Sequence, residues 1–233
     1  MSQRERKSNR HAIVVVGGVA PNLAFLETVD PESAVVVAAD SGAVHASAAK
    51  LSIDFAVGDF DSIPAGLLAE LERTGVTIER HPAMKDATDL ELAIEVALRE
   101  GADIITVVGG HGGRVDQSFA NALVIASPAY SHVEMHAVLD QALVSVVHGG
   151  GRVALSGTPG DVVTILALHG DAVGISSKGL EYGLDRDTLR AGSTRGVSNV
   201  FLDDHAEVSL DHGTIIVVRP GPEMFIASEG ENQ

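Results

Sequence analysis

From Ala12 to Val138, short β-branched runs alternate with stretches of helical spacing, and this alternation constrains the fold more than any other feature of the chain. Ala12 to Val16, Ala34 to Ala38, Phe55 to Val57, Val76 to Glu79, Ile104 to Val108 and Val133 to Val138 read as buried parallel strands. Between them the spacing predicts helices over Asn22 to Thr28, Gly42 to Lys50, Pro64 to Thr74, Asp89 to Arg99 and Gln117 to Ala126. Such an order builds a parallel sheet with helices on both faces. The fourth helix is the clearest: Leu90, Ala93, Ile94, Ala97 and Leu98 form one apolar face, Thr88 and Glu91 a capping box, and Gly101 a left-handed stop.

Beyond residue 145 the helical period disappears. Leu143 to Val147, Arg152 to Leu155, Val162 to Leu168, Ala172 to Ser176, Ala206 to Leu210 and Thr214 to Val218 read as short strands separated by turns, the pattern of an antiparallel β-sandwich. The expected fold class is therefore α/β: a parallel-sheet domain over residues 11–145, then an antiparallel sandwich over 146–228. The polar, basic segment 1–10 is expected to be a disordered arm.

Charge and composition narrow the function. With 16 Lys and Arg against 32 acids the formal charge is −16, which argues against nucleic acid as a partner. A polyanionic small substrate stays compatible if a divalent cation bridges it to carboxylates. The chain has no cysteine, which excludes disulfides and thiolate ligands and suits a reducing cytoplasm. Its apolar runs are too short to cross a bilayer as a helix, so a soluble protein is expected.

Four polar clusters follow expected strands, at the edge where α/β sheets place their sites. Asp59-Phe60-Asp61 puts two carboxylates on one side if the backbone stays extended, which suits a hard cation such as Mg2+. The competing reading is that Asp61 or Ser62 caps the helix near Pro64, and a lone D-x-D does not choose between the two. Asp86 and Asp89 can complete the metal's surroundings, although Asp89 also suits the helix dipole, and Lys85 is either a phosphate contact or a solvated lysine. Gly109-Gly110-His111-Gly112-Gly113-Arg114 is a glycine loop between a strand and a helix, open to an anion but without Walker or Rossmann spacing. In it Arg114 is the natural phosphate fork or a salt-bridge partner, and Asp116 orients substrate or caps the helix. Gly17-Gly18 and Asp40-Ser41-Gly42 add two more backbone openings, or tight turns.

Together these residues resemble the thiamine pyrophosphokinase family. Ala39 to Ala43 is similar to its A-D-G-G-A, Gly58 to Ser62 to its G-D-F-D-S, Lys85 to Asp89 to K-D-x-T-D, Gly112 to Gln117 to G-G-R-x-D-H/Q, and Ser193 to Asn199 to S-x-G-x-S-N. The resemblance implies a nucleotide-binding α/β domain and a thiamine-binding sandwich, in a homodimer with shared active sites. It implies transfer of pyrophosphate from ATP to the thiamine hydroxyl, with AMP released and Mg2+ as cofactor. By position, Asp59, Asp61 and Asp89 are its metal carboxylates, acting in catalysis with Arg114. Gly18, Asp40, Ser41, Gly42, Lys85, Asp86, Thr88, Gly112, Gly113 and Arg114 would meet the nucleotide, and Asp116, Gln117, Ser198 and Asn199 the thiamine.

Ser41 replaces the first glycine of the D-G-G motif, and the absence of tryptophan leaves the thiamine ring to find another surface than the one used in some members. Gln117 in place of histidine argues against a histidine base there. The alternatives are another D-x-D transferase, acting on a pterin, a nucleotide or a sugar, and a binding protein without turnover.

Overall fold

The computed structural model describes residues 10–20 and 33–221. The helix expected over Asn22 to Thr28, nearly all of the expected arm and the end of the expected sandwich lie outside the described residues. The chain forms two compact units: residues up to Ser118 with His132–Glu134, and Phe119–Ser131 with Met135 onward.

The first unit runs β1 (His11–Val16), β2 (Val35–Ala39), α1 (Gly42–Ala48), β3 (Phe55–Gly58), α2 (Ala65–Thr74), β4 (Thr77–Arg80), α3 (Asp89–Arg99) and β5 (Ile104–Gly109). Its strands are parallel in the order β4-β3-β2-β1-β5. Residues 12 to 15 and 36 to 39 are buried without alternation, so β1 and β2 are covered on both faces. Expected as buried, β4 instead takes the edge and has no fully buried residue. Helix α3 covers β1, β2 and β3 with Leu90, Ala93, Ile94, Val96 and Ala97. Its ends are set locally: Thr88 Oγ1 accepts the Glu91 N–H at 3.2 Å, and Gly101, at φ 81°, donates to Leu98 O at 2.9 Å. The strand order reverses between β1 and β5, which makes the ends of those two strands a topological switch point.

Helix α4 (Val115–Ile125) begins in the first unit, and its residues from Phe119 count with the second. Then come β6 (Glu134–Leu139), β7 (Ala142–His148), β8 (Arg152–Ser156), β9 (Val162–Lys178), β10 (Asp187–Leu189), β11 (Asn199–Val200), β12 (His205–Ser209) and β13 (His212–Arg219). The run expected as a sixth parallel strand, β6, pairs antiparallel with β7. The connection Asp140-Gln141, with Asp140 at φ 58°, permits only a hairpin, because a parallel return needs a crossover. Since β7 then pairs with β13, the compact units divide earlier than residue 145.

The two strands expected over Val162 to Leu168 and Ala172 to Ser176 are one 17-residue strand, β9. His169 at φ 58° and Gly170 at φ 127° bend it without ending it. Its first half pairs with β13 and β11 and its second with β10, β12 and, through His212, the start of β13, so β9 turns the corner between the layers of the sandwich. Val163, Ile165, Ile175, Phe201, Val208 and Ile215 fill the core between them. Among the described residues no helix is long and apolar enough to cross a membrane.

Candidate active site

Asp40 follows β2 and Asp59 follows β3, so both carboxylates stand at the C-terminal edge of neighbouring parallel strands. The turns bearing them are unusual. Asp40 has φ 43° and Phe60 φ 64°, a left-handed region that bulky side chains avoid unless the surroundings impose it. Asp40 N–H donates to Val57 O at 2.8 Å, Asp61 N–H to Asp59 Oδ1 at 3.2 Å, and Ser62 Oγ to Asp61 Oδ1 at 2.7 Å. The D-x-D segment is thus a tight turn and not the extended stretch expected, and the turn brings its carboxylates together. One ligand oxygen from each of Asp40, Asp59 and Asp61 lies within 4.8 Å of the other two.

Asp89, expected in this group, stands beside it. A Cβ on Gly58 would lie 3.2 Å from Asp40 Cβ and 3.3 Å from Asp89 Oδ1, so the bare backbone of Gly58 is what lets the two acids close in. Asp89 Oδ1 is 2.8 Å from Lys85 Nζ, out of line for a hydrogen bond, and the contact is an ion pair. Lys85 is largely covered, whereas Asp86 is exposed. Asp40 Oδ1 is buried with no hydrogen-bond partner. Burial raises the Asp40 pKa above the usual carboxylate value, Asp89, Asp59 and Asp61 raise it further by repulsion, and the Ser41 N–H partly opposes them. Three hard oxygen donors, one of them buried without a partner, fit a divalent cation of the Mg2+ type.

Beside the acids the switch point is closed by backbone. Gly110 N–H donates to Gly17 O at 2.9 Å and Val19 N–H to His111 O at 3.0 Å, which ties the ends of β1 and β5 together. Gly109, Gly110, Gly112 and Gly113 all take positive φ, a run of conformations that only glycine adopts freely. His45 on α1, which the sequence reading left out, reaches Gly18 O at 3.2 Å. Ser41 settles the departure at the D-G-G motif: its φ of −59° is ordinary, the left-handed residue is Asp40, and the Ser41 hydroxyl fills the space over Gly17. Gly42 is the buried first residue of α1.

Four expected contacts are engaged elsewhere. Arg114 is exposed and forks onto Asp116, with Nε 3.1 Å from Oδ1, and this bond lowers the Asp116 pKa and raises that of Arg114. Thr88 Oγ1 is the cap of α3. In the second unit Asn199 is buried: its Oδ1 accepts from Tyr182 N and Val200 N, both at 2.9 Å, and its Nδ2 donates to Tyr182 O at 2.8 Å. Ser198 is exposed at φ 58°, with its N–H on Thr164 Oγ1, and Gln117 is exposed. What Asn199 holds is the turn carrying Tyr182, an aromatic ring 63% exposed that no sequence pattern singled out.

Comparison with known proteins finds relatives of both parts of the chain. The family model described as thiamin pyrophosphokinase, catalytic domain, matches residues 26–137, and that for its vitamin B1 binding domain matches 152–215. A thiamine pyrophosphokinase of Bacillus subtilis is 25% identical over 206 residues, 88% of this chain and 96% of its own. The crystal structure of thiamine pyrophosphokinase from Bacillus subtilis superposes with a TM-score of 0.79 at 24% identity, covering 91% of this chain and 99% of that one. The structure from Geobacillus thermodenitrificans gives 0.76 at 24% identity, over 92% and 99%. The yeast structure gives 0.69 at 14% identity, over 91% and 86%.

Proposed function

The chain belongs to the thiamin pyrophosphokinase family, enzymes that make thiamine diphosphate from thiamine, and we propose that it does so by moving a pyrophosphoryl group from ATP to the thiamine hydroxyl, releasing AMP. The observation that carries this reading is the convergence of Asp40, Asp59 and Asp61 at adjacent strand ends. Asp59 and Asp61 would hold Mg2+, joined by Asp40 and, across Gly58, by Asp89. When bound, Mg2+ supplies positive charge against both the carboxylates and the phosphates of ATP.

The remaining work falls to positioning. Gly18, Ser41, Gly42, Gly112 and Gly113 offer backbone close to the switch point for the nucleotide, with Lys85, Asp86 and Thr88 at the start of α3. Arg114 would exchange Asp116 for a phosphate, which leaves Asp116 and Gln117 free to orient thiamine. The hydroxyl oxygen attacks the β-phosphorus in line, the bond from that phosphorus to the oxygen bridging it to the α-phosphorus breaks, the electron pair stays on that oxygen as AMP leaves, and the hydroxyl proton passes to solvent. For the thiamine ring, Tyr182 is the exposed aromatic surface that Asn199, next to Ser198, fixes in place. A homodimer with shared sites belongs to the same proposal: Val115, Phe119 and Leu123, spaced i, i+4, i+8 on α4, are exposed and form an apolar stripe for a second copy.

The test is product analysis after incubating the full chain with thiamine, ATP and MgCl2. Thiamine diphosphate and AMP in equal amounts are expected. Thiamine monophosphate with ADP would overturn the proposal.

A further inference from the structure

Building on this reading of the carboxylate site, we propose that Arg80 is a positioning residue for the reaction, holding the Asp59–Asp61 turn in its ligand-presenting shape by stacking on Phe60. Phe60 stands between the two acids at φ 64°, a conformation disfavoured for an aromatic residue, so something outside the turn must hold it. Its ring is 7% exposed, and the Arg80 guanidinium lies over it with Cζ 5.4 Å from the ring centre. Arg80 is delivered there by register, since it ends β4 opposite Gly58, and His81 N–H closes the pairing on Gly58 O at 2.9 Å. From α2, Glu72 Oε1 accepts a bond from Arg80 at 3.1 Å and aims the guanidinium. Edge strand, helix and acid turn therefore meet at one cation over one ring.

The same unit contains its own control. Arg99 lies over Phe55 with Cζ 6.0 Å from the ring centre and pairs with Glu79, but Phe55 is an ordinary strand residue and bears no carboxylate turn. The two pairs are alike in chemistry and differ in what the ring supports.

The experiment is Mn2+ titration of the full-length, nucleotide-free protein by electron paramagnetic resonance, with thermal melts alongside. Arg80→Ala is expected to weaken Mn2+ binding by about two- to fivefold, the range of an exposed cation–ring contact. Arg80→Lys should keep most of the affinity and Arg80→Gln should behave like alanine, whereas Arg99→Ala should leave Mn2+ binding unchanged whatever it does to the melt. With Phe60→Leu already present, Arg80→Ala should add nothing further. Equal Mn2+ affinity in wild type and Arg80→Ala would overturn the proposal, as would equal losses in Arg80→Ala and Arg99→Ala. No saturable Mn2+ binding by the wild type would instead sink the carboxylate-site reading, and this role with it.

Discussion

Asp40 in the first unit and Asn199 in the second both place side-chain oxygen out of water beside a strand, yet they treat it in opposite ways. Asp40 Oδ1 has no hydrogen-bond partner and faces three other carboxylates, while Asn199 engages its amide with Tyr182 and Val200. Burying polar oxygen without a partner costs stability, so a fold keeps such a group where something other than stability is selected. On the proposed reading, the contrast is between a site open to a ligand and a loop that spends its polar groups on its own shape. Two left-handed residues, Asp40 and Phe60, flank the first and Ser198, at φ 58°, adjoins the second, so it is the unpartnered oxygen and not backbone strain that separates the two.

The largest expected effect lies on the ligand side of the comparison. Asp59→Asn should lower kcat/KM by roughly a hundredfold or more while moving the melting temperature little, because it removes the charge proposed to hold Mg2+ and touches no internal contact beyond the Asp61 N–H. Steady-state kinetics with a parallel melt checks this, and near-normal turnover at saturating Mg2+ would remove Asp59 from the site. Asn199→Ala should instead cost about 1–3 kcal/mol in urea unfolding and raise the KM for thiamine, since the part-buried backbone groups of Tyr182 and Val200 lose their partner and the Tyr182 turn its clamp. A cost under about 1 kcal/mol would show that water replaces the amide and that the contrast with Asp40 is overstated.

Smaller effects follow from proton binding, and the two units give opposite signs. Asp40 holds its proton more tightly folded than unfolded, so the metal-free protein loses stability as pH rises from 3.8 through the raised value. Asp40→Asn should flatten that part of the profile, and an unchanged slope would count against the burial and repulsion acting on Asp40. In the second unit, burial first and His169 second hold His148 below its usual value of 6.5. There the unfolded chain binds the extra proton, and stability falls as pH drops from 6.5 through the folded value. His148→Gln should weaken that acid-side loss, the smallest of these effects, as followed by melts at stepped pH.

What could be read in the sequence was what the chain decides locally. Helix α3 starts and stops where Thr88 and Gly101 say it should, because a cap and a left-handed stop act within one turn. Long-range choices were hidden. Strand β9 looked like two strands because His169-Gly170 resembles a turn, and only pairing with β13 on both sides of the bend, joined by β10 beyond it, keeps it whole. The site divides in the same way. Asp59 and Asp61 are two residues apart and were legible as a pair, whereas Asp40 joins them only because β2 and β3 are neighbours in the sheet. Tyr182 carried no pattern at all, since its exposure depends on a clamp from Asn199, 17 residues away.

The most direct test of the account is anomalous diffraction from crystals soaked in Mn2+. The account predicts a single strong peak in the first unit, about 2.1 Å from oxygens of Asp59 and Asp61 and within reach of Asp40. No peak there under conditions that support turnover, or a peak held only by other residues, would contradict it.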